Sequence, residues 1–127
     1  MTNELRNDLK YTETHEWIKI KEDIATVGIT DHAQESLTDI VYVELPEIGK
    51  RVKKGEELCV VESVKSVSEI YAPVSGTIIK VNKRLEENPE SVNESPYDDG
   101  WLVEIKIENK SEINSLIDAD SYKKTIK

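Results

Sequence analysis

Hydrophobic and polar positions alternate along several short stretches of this chain, the period-two pattern of half-buried strands. Residues 11–20, with Tyr11, Trp17, Ile18 and Ile20, read as a first strand, and Lys21-Glu22-Asp23 as the turn after it. Residues 24–29 return as a second strand with Gly28 near its end. Asp31 stands three residues before Gln34, a capping-box-like spacing that predicts a short helix through Leu37, with Thr30 as the rival cap. Residues 39–45 alternate again and stop at Pro46 and Gly49. Further strands read over 77–81 and 101–107, separated by a polar surface excursion that holds Pro89, Pro96 and Gly100. Ser111 is placed to cap a short helix carrying Ile113, Leu116 and Ile117, and a last helix reads over 120–126. Residues 1–9 read as a loose polar tail. Many short strands with turn signals between them, and only peripheral helices, predict a β-sandwich or flattened barrel.

The rest of the chain is organised around residues 57–73. They are rich in β-branched residues, and before Pro73 no Gly or Pro interrupts them. Folding this stretch about Lys65-Ser66 sets Val64 against Val67, Ser63 against Ser68 and Glu62 against Glu69. Below that tip Val61 meets Ile70 and Cys59 meets Ala72, giving apolar cross-strand pairs. The palindrome predicts a tight hairpin with one lysine at its turn. Lys-Ser is a poor two-residue turn, since Asn-Gly or Gly-X is preferred. Glu62 against Glu69 is also a repulsive pair. Both features set function against stability at the tip.

Composition narrows the classes. The chain has 127 residues, enough for one domain with a real core. Its net charge of −9 argues against nucleic-acid backbones and anionic membranes as partners, and favours a basic or mixed protein surface. The single cysteine, Cys59, excludes an intramolecular disulfide and reads as a small core residue. Apolar runs are too short to span a membrane. The acidic residues within the first ten positions fit neither a secretory signal nor a transit peptide, so a cytoplasmic location is expected, or a mitochondrial one only after removal of a leader.

Catalytic signatures are scarce. The sequence has no glycine-rich phosphate loop, no CxxC pair and no HExxH. His15 and His32 lack the spacing of a metal site and read as structural. A lysine on a rigid turn has another use, because acylation by a cofactor would join a long arm to an ordered scaffold and raise the effective concentration of its reactive end at each partner.

The motifs together resemble the H proteins of the glycine cleavage system over residues 11–123. They include Tyr11 with Thr14-His15-Glu16-Trp17, Gly28-Ile29-Thr30 with Ala33-Gln34, Val43-Glu44-Leu45-Pro46-Glu47, and Val61-Glu62-Ser63-Val64-Lys65. Ala72-Pro73, Ser75-Gly76, Ser95-Pro96-Tyr97 and Gly100-Trp101 complete the set. The resemblance implies a mainly-β lipoyl/biotinyl-type hybrid barrel–sandwich of antiparallel strands with short peripheral helices. Residues 1–10 would be a flexible tail and 11–127 a single lipoyl-carrier domain.

On the same resemblance, Lys65 carries lipoate as an amide, and Glu62 and Ser63 help the lipoate ligase, or a lipoyl/octanoyl transferase, recognise the tip. The arm takes an aminomethyl group from glycine decarboxylase (P protein) to the aminomethyltransferase (T protein). Dihydrolipoyl dehydrogenase (L protein) then reoxidises it. Thr14, Glu16 and Glu69 match positions expected at a cleft that receives the loaded arm. A monomeric carrier without catalysis of its own is implied, with no nucleic-acid or membrane partner. Two rival readings remain: a relay supplying lipoyl or octanoyl groups to 2-oxoacid dehydrogenases, and an unmodified interaction domain. Thr38 departs from the family, which commonly has Gly there, and this predicts a distorted turn. Ser66 stands where Ala is commoner.

Overall fold

Two antiparallel sheets share one apolar core in the computed structural model, which describes residues 5–126. The larger has six strands in the order β1 (Lys10–Tyr11), β2 (Glu16–Lys21), β3 (Ile24–Ile29), β9 (Val103–Ile107), β8 (Gly76–Val81) and β5 (Arg51–Val52). The smaller has β4 (Ile40–Glu44), β6 (Glu57–Ser63) and β7 (Val67–Tyr71). Inward residues of both meet in the core: Ile18, Val27, Ile78 and Ile105 from one sheet, Val43, Leu58, Val61 and Ile70 from the other. Strand periodicity produces this, because alternate side chains of each strand point to the shared interior. The arrangement is the mainly-β barrel–sandwich that the resemblance implied.

Helices are short and peripheral: α1 (Asp31–Leu37), α2 (Arg84–Glu87), α3 (Ser91–Glu94), a 3₁₀ helix (Lys110–Ser115) and α4 (Ala119–Thr125). Thr30 is the cap of α1, its hydroxyl accepting from Ala33 N–H, while Asp31 accepts from Gln34 Nε2 instead. Asn109 rather than Ser111 caps the 3₁₀ helix, and Asp118 caps α4. A second apolar cluster joins the two ends of the chain through Leu9, Tyr11, Trp17, Tyr97, Ala119 and Tyr122. Tyr11 stacks on Tyr122 with ring centroids 4.8 Å apart. The proposed tail at residues 1–10 therefore needs qualification: residues 1–4 lie outside the described residues, whereas Leu9 is buried and Lys10 pairs with Ile18.

Two further expectations change. The first strand is broken, because residues 12–15 turn between β1 and β2, with His15 at a φ of 71°. The hairpin register differs by two from the palindrome: Glu62 pairs with Val67, Val61 with Ser68, Val60 with Glu69 and Cys59 with Ile70. Its tip is Val64-Lys65, not Lys65-Ser66, so Glu62 and Glu69 are not cross-strand neighbours.

Thr38 does not redirect its turn. It adopts the strained geometry itself, at φ 64° and ψ −149°, a region that only glycine occupies readily. Thr38 N–H donates to the Gln34 carbonyl at 3.0 Å, and its own carbonyl accepts from Asn93 Nδ2 at 2.7 Å, which holds the conformation.

The two glycines that flank the hairpin serve different ends. Gly55 takes a φ of +90° with open space around it, whereas a Cβ at Gly76 would lie 2.0 Å from the Lys106 carbonyl oxygen.

Candidate functional site

Lys65 stands at the tip of the β6–β7 hairpin, exposed. Neither Val64 nor Lys65 takes a positive φ, so the turn is not the glycine-dependent hairpin type. A side chain closes it instead. The Ser63 hydroxyl accepts the N–H of Lys65 at 3.2 Å and that of Ser66 at 3.1 Å, while Ser63 N–H donates to the Ser66 carbonyl at 2.8 Å. Serine does this work well because its short hydroxyl imitates a backbone acceptor. The tip is also tied to the body, since Val64 N–H donates to the Asp39 carbonyl at 3.0 Å. Val64 and Val67, 66% and 63% exposed, leave an apolar surface beside the lysine. Among the described residues nothing engages the Lys65 ammonium through a hydrogen bond or ion pair.

A cleft of about 500 Å3 opens beyond the base of β7. Thr12, Thr14 and Glu16 form one wall, and Tyr71, Ala72 and Lys54 line it as well. Leu116 and Ile117, after the 3₁₀ helix, complete it with apolar surface. Glu16 is 1% exposed yet charged in type, and it is well partnered. Oε1 accepts from the Thr12 and Thr14 hydroxyls, both at 2.5 Å, and Oε2 accepts the Tyr71 N–H at 3.3 Å. A carboxylate has about four lone-pair positions, so Oε2 keeps room for another donor. The turn at residues 12–15 makes this possible: Thr12 N–H donates to the Glu16 carbonyl at 3.0 Å and His15 N–H to the Thr12 carbonyl at 3.2 Å.

Of the residues singled out from the sequence, Thr14 and Glu16 come together in the cleft. Glu69 does not line it; it is exposed on β7, between Lys65 and the cleft residue Tyr71. Glu62 is half-buried on β6, opposite Tyr42 and Val67. Ser63 is engaged within the turn. Thr12, Lys54 and the Tyr71 amide were missed. The available signal for Thr12 was its two-residue spacing from Thr14 and Glu16, which a strand over residues 11–20 places on one face.

Other reactive side chains are occupied structurally. Cys59 is buried, and burial followed by the nearby Glu16 carboxylate pushes its thiol far up, so it stays protonated. His15 and His32 pack with ring centroids 4.8 Å apart, and His15 Nδ1 lies 2.8 Å from the Tyr122 hydroxyl. Among the described residues no group of three His, Cys, Asp or Glu side chains could hold a metal ion. No helix among them is long and apolar enough to cross a membrane.

A family model described as "Glycine cleavage H-protein" matches residues 9–127. The chain is 53% identical over 125 residues to a glycine cleavage system H protein of Teredinibacter turnerae, covering 98% of this chain and 96% of that one. It is 54% identical over 125 residues to the H protein of Saccharophagus degradans, with the same coverage. Among solved structures, the glycine cleavage system H protein of Mycobacterium marinum superposes with a TM-score of 0.83 at 37% identity, covering 93% of this chain and 95% of that one.

Proposed function

The chain belongs to the glycine cleavage H-protein family, and from that premise we propose that it is a lipoyl carrier with Lys65 as the attachment site. The observation that carries the reading is a Lys65 ammonium that no described residue engages, on a turn fixed by Ser63, at one end of a strand whose other end opens on a carboxylate-bearing cleft. Bound as an amide, lipoate supplies a disulfide that takes up an aminomethyl group and later gives it up.

The chain's own residues present and shelter that arm. Ser63 orients Lys65, and the anchored tip resists collapse onto the surface. Tyr71 lies six residues past Lys65, roughly 20 Å of strand at ~3.3 Å per residue, a span that an extended lysine–acyl arm covers. The donor set at Glu16 suits such an arm when it bears an amine. Two hydroxyls and one amide already donate to that carboxylate, and the free side of Oε2 can accept an ammonium in a charge-assisted bond. Leu116 and Ile117 offer apolar cover for the hydrocarbon part. Glu69, exposed along the way, would meet an amine before the cleft does. Glu62, beside the tip, and Ser63, through the turn, make Lys65 recognisable to a lipoate ligase or lipoyl transferase.

Partners on this reading are the P, T and L proteins of the glycine cleavage system, with the chain acting as a carrier and not as an enzyme. We place the carrier domain at residues 9–127, a soluble cytoplasmic monomer.

The test is reconstitution. The lipoylated chain should support glycine-dependent CO2 release with the P protein and one-carbon transfer to tetrahydrofolate with the T protein, and Lys65→Arg should support neither. Lipoylation without either activity, with lipoyl transfer to a 2-oxoacid dehydrogenase instead, would favour the relay role.

A further inference from the structure

The cleft contains a cation of its own. Lys54 lines it together with Glu16, yet among the described residues the two form no ion pair. The Lys54 ammonium instead donates to the Ser115 hydroxyl, whose own proton goes to the Glu112 carbonyl at 2.8 Å. That relay fixes the direction of both bonds and leaves a Ser115 lone pair facing Lys54. The platform beneath Ser115 is firmly set. Glu112 accepts the Ser75 N–H at 2.7 Å and the Ser75 hydroxyl at 2.9 Å, and Ser75 Oγ in turn accepts the Lys54 N–H at 2.9 Å. The Lys54 ammonium is thus tied to the 3₁₀ segment directly, and its backbone is tied to the same segment through Ser75.

We propose that Lys54 is a built-in competitor for the Glu16 carboxylate, and that Ser115 holds it aside so that an amine-bearing arm can occupy the cleft. The inference rests on the reading of the cleft as the arm's receiving site. An ammonium at the end of a flexible side chain has the same charge and donor geometry as the amine it would displace. With Ser115 in place, the lysine stays at the rim, where solvent screens it. Without Ser115, Lys54 turns toward the one buried carboxylate in the cleft. Glu13 is the other acid lining it, but it is exposed and competes weakly for the cation. Lys54 and Ser115 are accordingly specificity-determining residues that set how long an amine-bearing arm stays.

The experiment uses a stable amine-bearing arm on the full chain. The lipoylated protein is reduced, and a dihydrolipoyl thiolate displaces bromide from 2-bromoethylamine, forming a C–S bond and releasing bromide. Cys59, buried and protonated, does not compete. An S-ethyl arm made with iodoethane is the neutral control. The readout is the amide resonance of Tyr71, whose N–H touches Glu16; its amine-dependent shift reports the ratio of docked to free arm.

Lys54→Met should raise that ratio about two- to fivefold, the range of an exposed charge interaction. Ser115→Ala should lower it by a similar factor, and Ser115→Thr, which keeps the hydroxyl, should restore it. In the Lys54→Met background, Ser115→Ala should change nothing. If Glu16→Gln abolishes the shift while the Lys54 and Ser115 variants match the parent, the competitor role is overturned and the cleft reading stands. If the parent shows no amine-dependent shift at all, both are overturned.

Discussion

The hydroxyl of Ser63 accepts the backbone N–H of Lys65 at 3.2 Å. The residue two positions before the lysine thus sets the backbone that carries it, and the same oxygen also takes the Ser66 N–H. Ser63→Ala would leave two turn amides to water and cost about 1 kcal/mol in stability. Because the turn would then sample several conformers, lipoylation by a ligase should slow by more than that modest destabilisation explains. Initial lipoylation rates beside urea midpoints separate the two effects.

Thr38 at φ 64° occupies backbone space suited to glycine. Thr38→Gly should stabilise the protein by about 1 kcal/mol, the relieved strain less the extra entropy of glycine in the unfolded chain. Thermal unfolding of the two forms checks this; an unchanged or lower midpoint would show that the Asn93 and Gln34 bonds already absorb the strain.

Gly76 packs against the β9 backbone, and a methyl group there would meet the Lys106 carbonyl oxygen at 2.0 Å. Gly76→Ala should destabilise by about 1–3 kcal/mol or more by forcing β8 and β9 apart. The same substitution at Gly55 adds no contact, so its cost should come from the positive φ alone. Denaturation curves of both variants give the comparison.

His15 is partly buried beside His32 and bonded to Tyr122. Burial, and secondarily the neighbouring His32, lowers its pKa below 6.5. A base whose folded pKa is depressed contributes stability that is complete above the unfolded value and is lost as pH falls through the lowered one. Stability should therefore begin to drop as pH falls below about 7, above the range in which ordinary carboxylates titrate. His15→Gln should flatten that part of the profile. A slope unchanged in the variant would assign the effect to another group.

The two-sheet architecture was largely legible because strand periodicity is local: residues 24–29, 40–44 and 103–107 alternate and emerge as strands. The hairpin was legible, but its register was not. Mirror symmetry about Lys65-Ser66 counted matching side chains, whereas the turn is decided by the Ser63 hydroxyl, which the pattern does not weigh. The break at residues 12–15 was hidden for a related reason, since a histidine at positive φ carries no glycine-like mark in the sequence. Glu16 could be singled out by resemblance. Its partnership with the Tyr71 amide could not, because it joins strands 55 positions apart. Lys54 and Ser115, separated by 61 positions, were invisible until the fold brought them together.

Attachment of the lipoyl arm at Lys65 is read out by peptide mass spectrometry after incubation with lipoate, ATP and a lipoate ligase. One lipoyl amide on Lys65, absent from Lys65→Arg, is the predicted result. A folded protein that gains no lipoyl group, or gains it on another lysine, would contradict the account.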